Sequence, residues 1–333
     1  MALVAFADLW AGPDVGLLSL FSLGPAFACV SGTVRRALLV GLLALALCLA
    51  ASGYDGLFTS RRALVALATV AGVTAAAALA AELRHGIERE LADVRSVAEA
   101  AQRVLLRPVP TLAGHMRVAV SYTSAAAEAR IGGDLYEVVS TPRMTRVIVG
   151  DVQGKGLEAV ETAAVVLGAF REAAPDDVAL QQVGERLERA LNRRLAGEQF
   201  VTAVLAQVDV EHILTLLNYG HPPPMLVHAD GAVRFADPPI DAPPLGLAEL
   251  GPSGPRPYQV EMRPGDQMLL YTDGVTEARD AHGRFYPLAE RALLLKEPDP
   301  DDALEALRRD VVAHCSGPLR DDAAMLLLRY RSL

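Results

Sequence analysis

Three stretches without a single charged side chain follow one another near the start of the chain, at residues 15–34, 37–53 and 63–81, separated by Arg35-Arg36 and Arg61-Arg62. Each has roughly the length needed to cross about 30 Å of hydrocarbon, so three transmembrane helices are expected. Buried core helices of a soluble domain are the alternative, which three near-consecutive charge-free segments disfavour. A cleaved leader is disfavoured too, because no basic region precedes the apolar stretch and no A-x-A-like site ends it. Residues 2–12 are apolar but broken by Asp8, and read as a partial fourth span. From residue 82 to 107 the pattern changes to a 3/4 spacing of Leu83, Ile87, Val94, Val97, Ala101 and Val104, interrupted only by Glu90. That spacing fits a coiled-coil stalk or an amphipathic helix packed on the next domain, and Pro108 and Pro110 end it.

Beyond Pro110 the period shortens to that of strands. Residues 116–122, 135–139, 145–149, 201–209, 213–218, 224–228, 267–271 and 324–330 have strand character, whereas 157–172, 176–196, 287–296 and 301–315 read as helices. The Pro/Gly-rich residues 238–257 read as a long surface loop. An α+β sandwich follows, in three parts: a membrane segment (1–81), a helical stalk (82–107) and a globular domain (108–333).

Charge narrows the partners. The first 81 residues carry a net +1 against −9 for the whole chain, leaving −10 on residues 82–333. An acidic domain does not suit a nucleic-acid backbone. Cys29 and Cys48 sit in apolar runs and Cys315 stands alone, so no disulfide framework or thiolate metal site is spelled out, and a reducing cytoplasm fits. A cytoplasmic domain places Arg35-Arg36 inside but Arg61-Arg62 outside, against the positive-inside tendency. The expectation is a multi-pass protein of the cell membrane with its catalytic domain in the cytoplasm.

Four aspartates share one setting, each at a strand end beside glycine or another aspartate: Asp134 after Ile131-Gly132-Gly133, Asp151 after Gly150, Asp273 before Gly274, and Asp321 in Asp321-Asp322. Clustered carboxylates repel and resist ionisation unless cations neutralise them. An Asp-Gly after a strand is by itself an ordinary turn; four in this setting suggest a site for hard divalent ions.

The ordered segments IGGDLYEVV (131–139), VIVGDVQGKGLEAVETAAVVLGAF (147–170), FVTAVLAQVD (200–209), LNYGHPPPMLV (217–227), PPLGL (243–247), GDQMLLYTDGVTEARD (265–280) and RDDAAMLLLR (320–329) closely resemble the SpoIIE/RsbU-like branch of the PPM (protein phosphatase 2C-like) metal-dependent Ser/Thr phosphatases. The resemblance implies a PPM-type α-β-β-α sandwich. It also implies two Mg²⁺ or Mn²⁺ ions, with Asp151 bridging them, the carbonyl of Val152 on one, and Asp134, Asp273 and Asp321 on the other. A metal-bridging water would attack the phosphorus of phosphoserine or phosphothreonine in line, without a covalent intermediate. Spacing does not decide between Asp321 and Asp322; the family pattern favours the first, with Asp322 capping the turn. Gly132, Gly133, Gly150, Gly154 and Gly274 would let backbone approach the metals.

The departures matter. The eukaryotic branch has a histidine two residues after the bridging aspartate, where this chain has Gln153, so a side-chain general acid is missing and slow, docking-dependent turnover is expected. Lys155 is solvated or contacts the substrate phosphate. His221, in Gly220-His221-Pro222-Pro223-Pro224, reads as a hydrogen-bonded structural histidine, and Arg130 as a surface arginine or a phosphate contact. The leading function is a membrane-tethered phosphatase acting on a phosphorylated regulator, by resemblance a STAS-type anti-anti-sigma factor, with a homodimer formed through the stalk. A non-catalytic signalling scaffold and a small-molecule phosphohydrolase are the alternatives.

Overall fold

The computed structural model describes Trp10 and residues 18–54, 60–124, 132–194, 199–209, 213–248, 254–315, 317 and 319–331. Arg130, Ile131 and most of residues 2–12 therefore lie outside the described residues. The chain divides into two compact units, residues 1–93 and 94–333.

In the first unit a 3₁₀ turn (Leu18–Ser22) leads into α1 (Leu23–Ser31), then α2 (Val34–Tyr54) and the first part of α3 (Arg61–Leu105). Two helical stretches, Val34–Tyr54 and Arg61–Glu90, are long and apolar enough to cross a membrane. The expectation of three spans is corrected to two among the described residues. The chain turns extended at Gly32, so α1 has nine residues, about 14 Å of helix against about 30 Å of hydrocarbon. Leu18, Phe21, Ala44, Cys48, Ala66 and Val70 pack together. Gly41 lets α2 lie against Thr74 of α3, where a Cβ would come within 2.1 Å of the threonine methyl, the small-residue contact usual between helices in lipid. The Arg84 guanidinium donates to the carbonyls of Cys29 and Gly32 at 2.8 Å each, meeting acceptors at the C-terminal end of α1.

The second unit is built on two antiparallel sheets. Its strands are β1 (Leu112–Ala113), β2 (Met116–Thr123), β3 (Leu135–Ser140), β4 (Met144–Val152), β5 (Val201–Asp209), β6 (Leu214–Tyr219), β7 (Met225–Val227), β8 (Val233–Phe235), β9 (Tyr258–Val260), β10 (Gln267–Tyr271) and β11 (Ala323–Tyr330). One sheet runs β1-β2-β11-β10-β7-β8 and the other β3-β4-β5-β6-β9. Alternate residues of the two inner faces, among them Val118, Leu326, Leu328, Met268, Val147, Val149, Val204 and Leu216, form the core between the sheets. The outer face of the second sheet is covered by α4 (Leu157–Asp176) and α5 (Leu180–Arg194) through Phe170, Leu167, Leu187 and Leu191. That of the first is covered by α7 (Pro300–His314) and the segment Leu288–Lys296. The result is the expected four-layer α-β-β-α sandwich. Leu288–Lys296 is 3₁₀ rather than α-helical, and β1, β8 and β9, of two or three residues each, are too short to stand out in the sequence pattern.

Helix α3 continues to Leu105, and its last turns belong to the second unit: Ala101 and Leu105 pack on Val160 of α4, and the Arg171 guanidinium donates to the Leu105 carbonyl at 2.6 Å while pairing with the buried Glu137.

Candidate metal centre

Strand register brings the aspartates to one end of the sandwich. Leu135 of β3 faces Gly150 of β4, which sets Asp134 beside Asp151. Tyr271 of β10 faces Met325 of β11, so Asp273, at the start of the short helix α6 (Asp273–Thr276), comes up beside Asp321 and Asp322. The second glycine of Gly132-Gly133 is demanded by a close approach: a Cβ on Gly133 would lie 2.5 Å from the Val152 carbonyl oxygen. Gly274 is stricter still, since a Cβ there would come within 1.8 Å of the Asp322 carbonyl oxygen. These glycines serve contacts between chain segments; Gly154 has open space around it and a φ of +97°.

Asp134 is fully buried and held well above the usual carboxylate range, by burial first and then by the charges of Asp151, Asp322 and Asp273, partly offset by a hydrogen bond from Thr272. Burial, with Asp273 and Asp321 nearby, pushes Asp151 up to about 7 against the opposing pull of Lys155. Asp273 is raised by burial, Glu277 and Asp321. The Lys155 ammonium donates to both Asp321 oxygens at 2.8 Å. The Thr272 hydroxyl, fully buried, donates to Asp134 at 2.8 Å and accepts from the Ala324 N–H at 3.0 Å.

Asp322 is a different kind of residue. Its carboxylate is buried, accepts from the Tyr122 hydroxyl, and receives the Gly132 N–H at 3.2 Å. Burial and that carboxylate together drive the Tyr122 phenol far above its ordinary pKa. Gln102, near the end of α3, completes the network by donating to the Tyr122 oxygen at 2.8 Å and to the Gly132 carbonyl at 3.3 Å. Asp322 thus anchors the Gly132-Gly133 turn to β11, while the Asp321 side chain is about half exposed.

His221 is buried, with its ring between Thr202 and the Tyr271 carbonyl. Gln153 is exposed, its N–H donating to the Phe200 carbonyl at 2.9 Å. Sequence reasoning missed Gln102, Tyr122, Thr202 and Thr272. Thr202 and Thr272 sit inside the ordered motifs FVTAVLAQVD and GDQMLLYTDGVTEARD, whereas Gln102 and Tyr122 lie outside every motif.

Among the described residues no group of three or more His, Cys, Asp or Glu stands in a metal-ligating arrangement: Thr272 holds one Asp134 oxygen and Lys155 both Asp321 oxygens. The donor chemistry nonetheless suits hard divalent cations. It is all oxygen, and the carboxylates raise one another's pKa in a way that a cation would relieve.

The family described as Stage II sporulation protein E (SpoIIE) matches residues 141–331. The chain belongs to the SpoIIE family of PP2C-like phosphatases. Asp151, Asp273 and Asp321 fall inside the matched SpoIIE interval and Asp134 seven residues before it. Among curated proteins, the phosphoserine phosphatase RsbU of Bacillus subtilis is 23% identical over 252 residues, which make up 74% of this chain and 73% of RsbU. Protein IcfG of Synechocystis is 22% identical over 240 residues, 61% of this chain but 36% of IcfG. Among solved structures, the SiaA-PP2C domain of Pseudomonas aeruginosa superposes with a TM-score of 0.61 at 20% identity, covering 73% of this chain and 98% of that domain. The phosphatase domain with a regulatory fragment of Bacillus subtilis SpoIIE gives 0.56 at 19%, covering 65% of this chain and 62% of that one. At these identities the structural likenesses establish the SpoIIE fold, a PPM-type sandwich of helices and sheets.

Proposed function

We propose that the chain is a membrane-tethered, metal-dependent phosphatase that removes phosphate from serine or threonine of a regulatory protein, with a STAS-type anti-anti-sigma factor as its substrate. The observation that carries this reading is the meeting of Asp134, Asp151 and Asp273 at one end of the two sheets, each raised in pKa by burial and by neighbouring carboxylates. Membership of the SpoIIE family and likeness to the phosphoserine phosphatase RsbU support the substrate class.

Asp134, Asp151, Asp273 and Asp321, with the Val152 carbonyl, would hold two Mg²⁺ or Mn²⁺ ions. When bound, such ions neutralise phosphoryl oxygens and lower the pKa of water, the chemistry that in-line hydrolysis of a phosphate monoester needs. Thr272 keeps Asp134 aimed into the cluster. Lys155, on leaving Asp321, would be available as a cation for a substrate phosphate. Gln153 has no proton to give at neutral pH, so the serine oxygen takes its proton from solvent, and turnover is slow.

Membrane tethering is supported by the two membrane-length helices and by the outward-facing Leu39, Leu42, Leu43, Leu64 and Val65, each more than half exposed. The active domain is assigned to the cytoplasm and the anchor to residues 1–81. A homodimer through the stalk is supported by exposed Leu83, Ile87, Val97 and Val104 at heptad spacing.

The test is phosphate release by the full-length, detergent-solubilised chain from a serine-phosphorylated STAS-domain protein, its phosphopeptide and an aryl phosphate, with Mn²⁺, Mg²⁺ or chelator. Metal-dependent release, fastest from the whole phosphoprotein, is expected, with Asp151→Asn slower by about 100-fold or more. Undiminished hydrolysis by Asp151→Asn would sink the chemistry. Binding without turnover would make the chain a scaffold, and a preference for small phosphorylated metabolites would move it to that class.

A further inference from the structure

His221 sits between the two sheets rather than among the carboxylates. Its Nε2 lies 3.0 Å from the carbonyl of Tyr271, the last residue of β10, and its Nδ1 lies 3.1 Å from the hydroxyl of Thr202 on β5. Each contact is one step from the cluster. Thr202 is the cross-strand partner of Asp151, and its hydroxyl is also 3.4 Å from the Asp151 carbonyl. Tyr271 is followed by Thr272, which holds Asp134, and then by Asp273.

We propose that His221 is a positioning residue for the metal centre, tying β5 to β10 so that Asp151 is held in register with Asp134 and Asp273. This rests on the reading of those aspartates as metal ligands.

The ring chemistry fits a fixed tie. A carbonyl only accepts, so Nε2 carries the proton and donates to Tyr271, leaving Nδ1 to accept from the Thr202 hydroxyl. Burial holds the imidazole pKa down to about 4, against the opposing pull of hydrogen bonds with the Tyr271 and Thr202 backbone, which keeps the ring neutral at neutral pH. The backbone of the residue is equally constrained. The His221 N–H donates to the Asn218 side-chain oxygen at 2.8 Å, the Asn218 amide donates back to the His221 carbonyl at 2.9 Å, and three prolines follow. A histidine needed only to fill space would not require both ring nitrogens matched to one strand in each sheet. The candidate ligands come from both sheets, so a tie of this kind would fix how Asp151 stands relative to Asp134 and Asp273, the residues that would hold the cations.

The test uses the full-length chain in detergent with three substitutions. His221→Phe keeps the volume and removes both bonds. His221→Gln keeps a donor near the Nε2 position. Thr202→Val removes only the hydroxyl. Mn²⁺ affinity is read by electron paramagnetic resonance, independently of activity, beside the Mn²⁺ concentration that half-activates hydrolysis and the melting temperature in chelator. His221→Phe is expected to weaken Mn²⁺ binding about 10- to 100-fold, Thr202→Val less, and His221→Gln to recover most of the loss. Wild-type Mn²⁺ affinity, within about twofold, in a folded His221→Phe overturns the proposal. Should that variant fail to fold, unchanged affinity in Thr202→Val overturns it equally. A wild-type chain that binds no Mn²⁺ fails at the ligand reading itself, an outcome distinct from binding that the variants leave untouched.

Discussion

Asp151, a metal ligand in the proposed function, carries a stability cost at neutral pH. A carboxyl whose folded pKa lies above its unfolded value stabilises the fold below the unfolded value, and that contribution is lost as pH rises through the folded pKa. For Asp151 the window runs from 3.8 to about 7. His221 works in the opposite direction: its pKa falls from 6.5 to about 4, so its contribution is complete above 6.5 and lost as pH falls through about 4. Comparing wild type with Asp151→Asn cancels the histidine. In chelator, Asp151→Asn is expected to melt above wild type at pH 7.5, by the equivalent of about 1 kcal/mol or more, with the gap closing towards pH 4. Saturating Mn²⁺ should reverse the order at neutral pH, and thermal melts across that pH range check both. A constant gap would mean that burial does not hold Asp151 in its protonated form. Asp321 and Asp322 separate at this same scale. Adjacent in sequence and alike in type, they differ only in what surrounds them, Lys155 in one case and Tyr122 with the Gly132 N–H in the other.

At the scale of elements, the strands that carry the core were legible because their inner faces alternate and their lengths exceed five residues, as in β2, β4, β5 and β11. The end of α3 was not. Its 3/4 spacing fits either a coiled coil or a helix on the domain, and the structure uses both faces: Ala101 and Leu105 pack inward on Val160, while Val97 and Val104 stay exposed. Gln102 looks like a solvated helix residue in sequence but is buried against Tyr122 and Gly132, 20 and 30 positions away. Gln102→Leu should therefore act on the Gly132-Gly133 turn. It is expected to lower the melting temperature by the equivalent of about 1 kcal/mol, the usual loss of a buried hydrogen bond, and to weaken Mn²⁺ binding. A melt and a Mn²⁺ titration matching wild type would show that the network does not reach the centre.

For the molecule as a whole, the division at Asp93 and Val94 makes a further prediction. A chain starting at Val94 keeps Ala101, Gln102 and Leu105, whereas one starting at Pro108 loses them. The first is expected to melt several degrees above the second, and, if the proposed stalk dimer forms, light scattering should find the first monomeric and the full-length chain dimeric; equal melts would place the last turns of α3 outside the domain's stability. The sequence by itself determined the membrane-length apolar runs, the strand-rich domain and the identity of four candidate ligands, because hydrophobic period and strand-end aspartates are local properties of the chain. Only the tertiary structure decided that, among the described residues, the first apolar run holds a 3₁₀ turn and a nine-residue helix ending at Gly32, that Asp321 and Asp322 have different surroundings, and that Gln102, Tyr122, Thr202, Thr272 and His221 lie around the candidate centre. Those residues act through hydrogen bonds between segments as many as 200 positions apart, and such contacts arise from packing two sheets face to face, which no local pattern encodes.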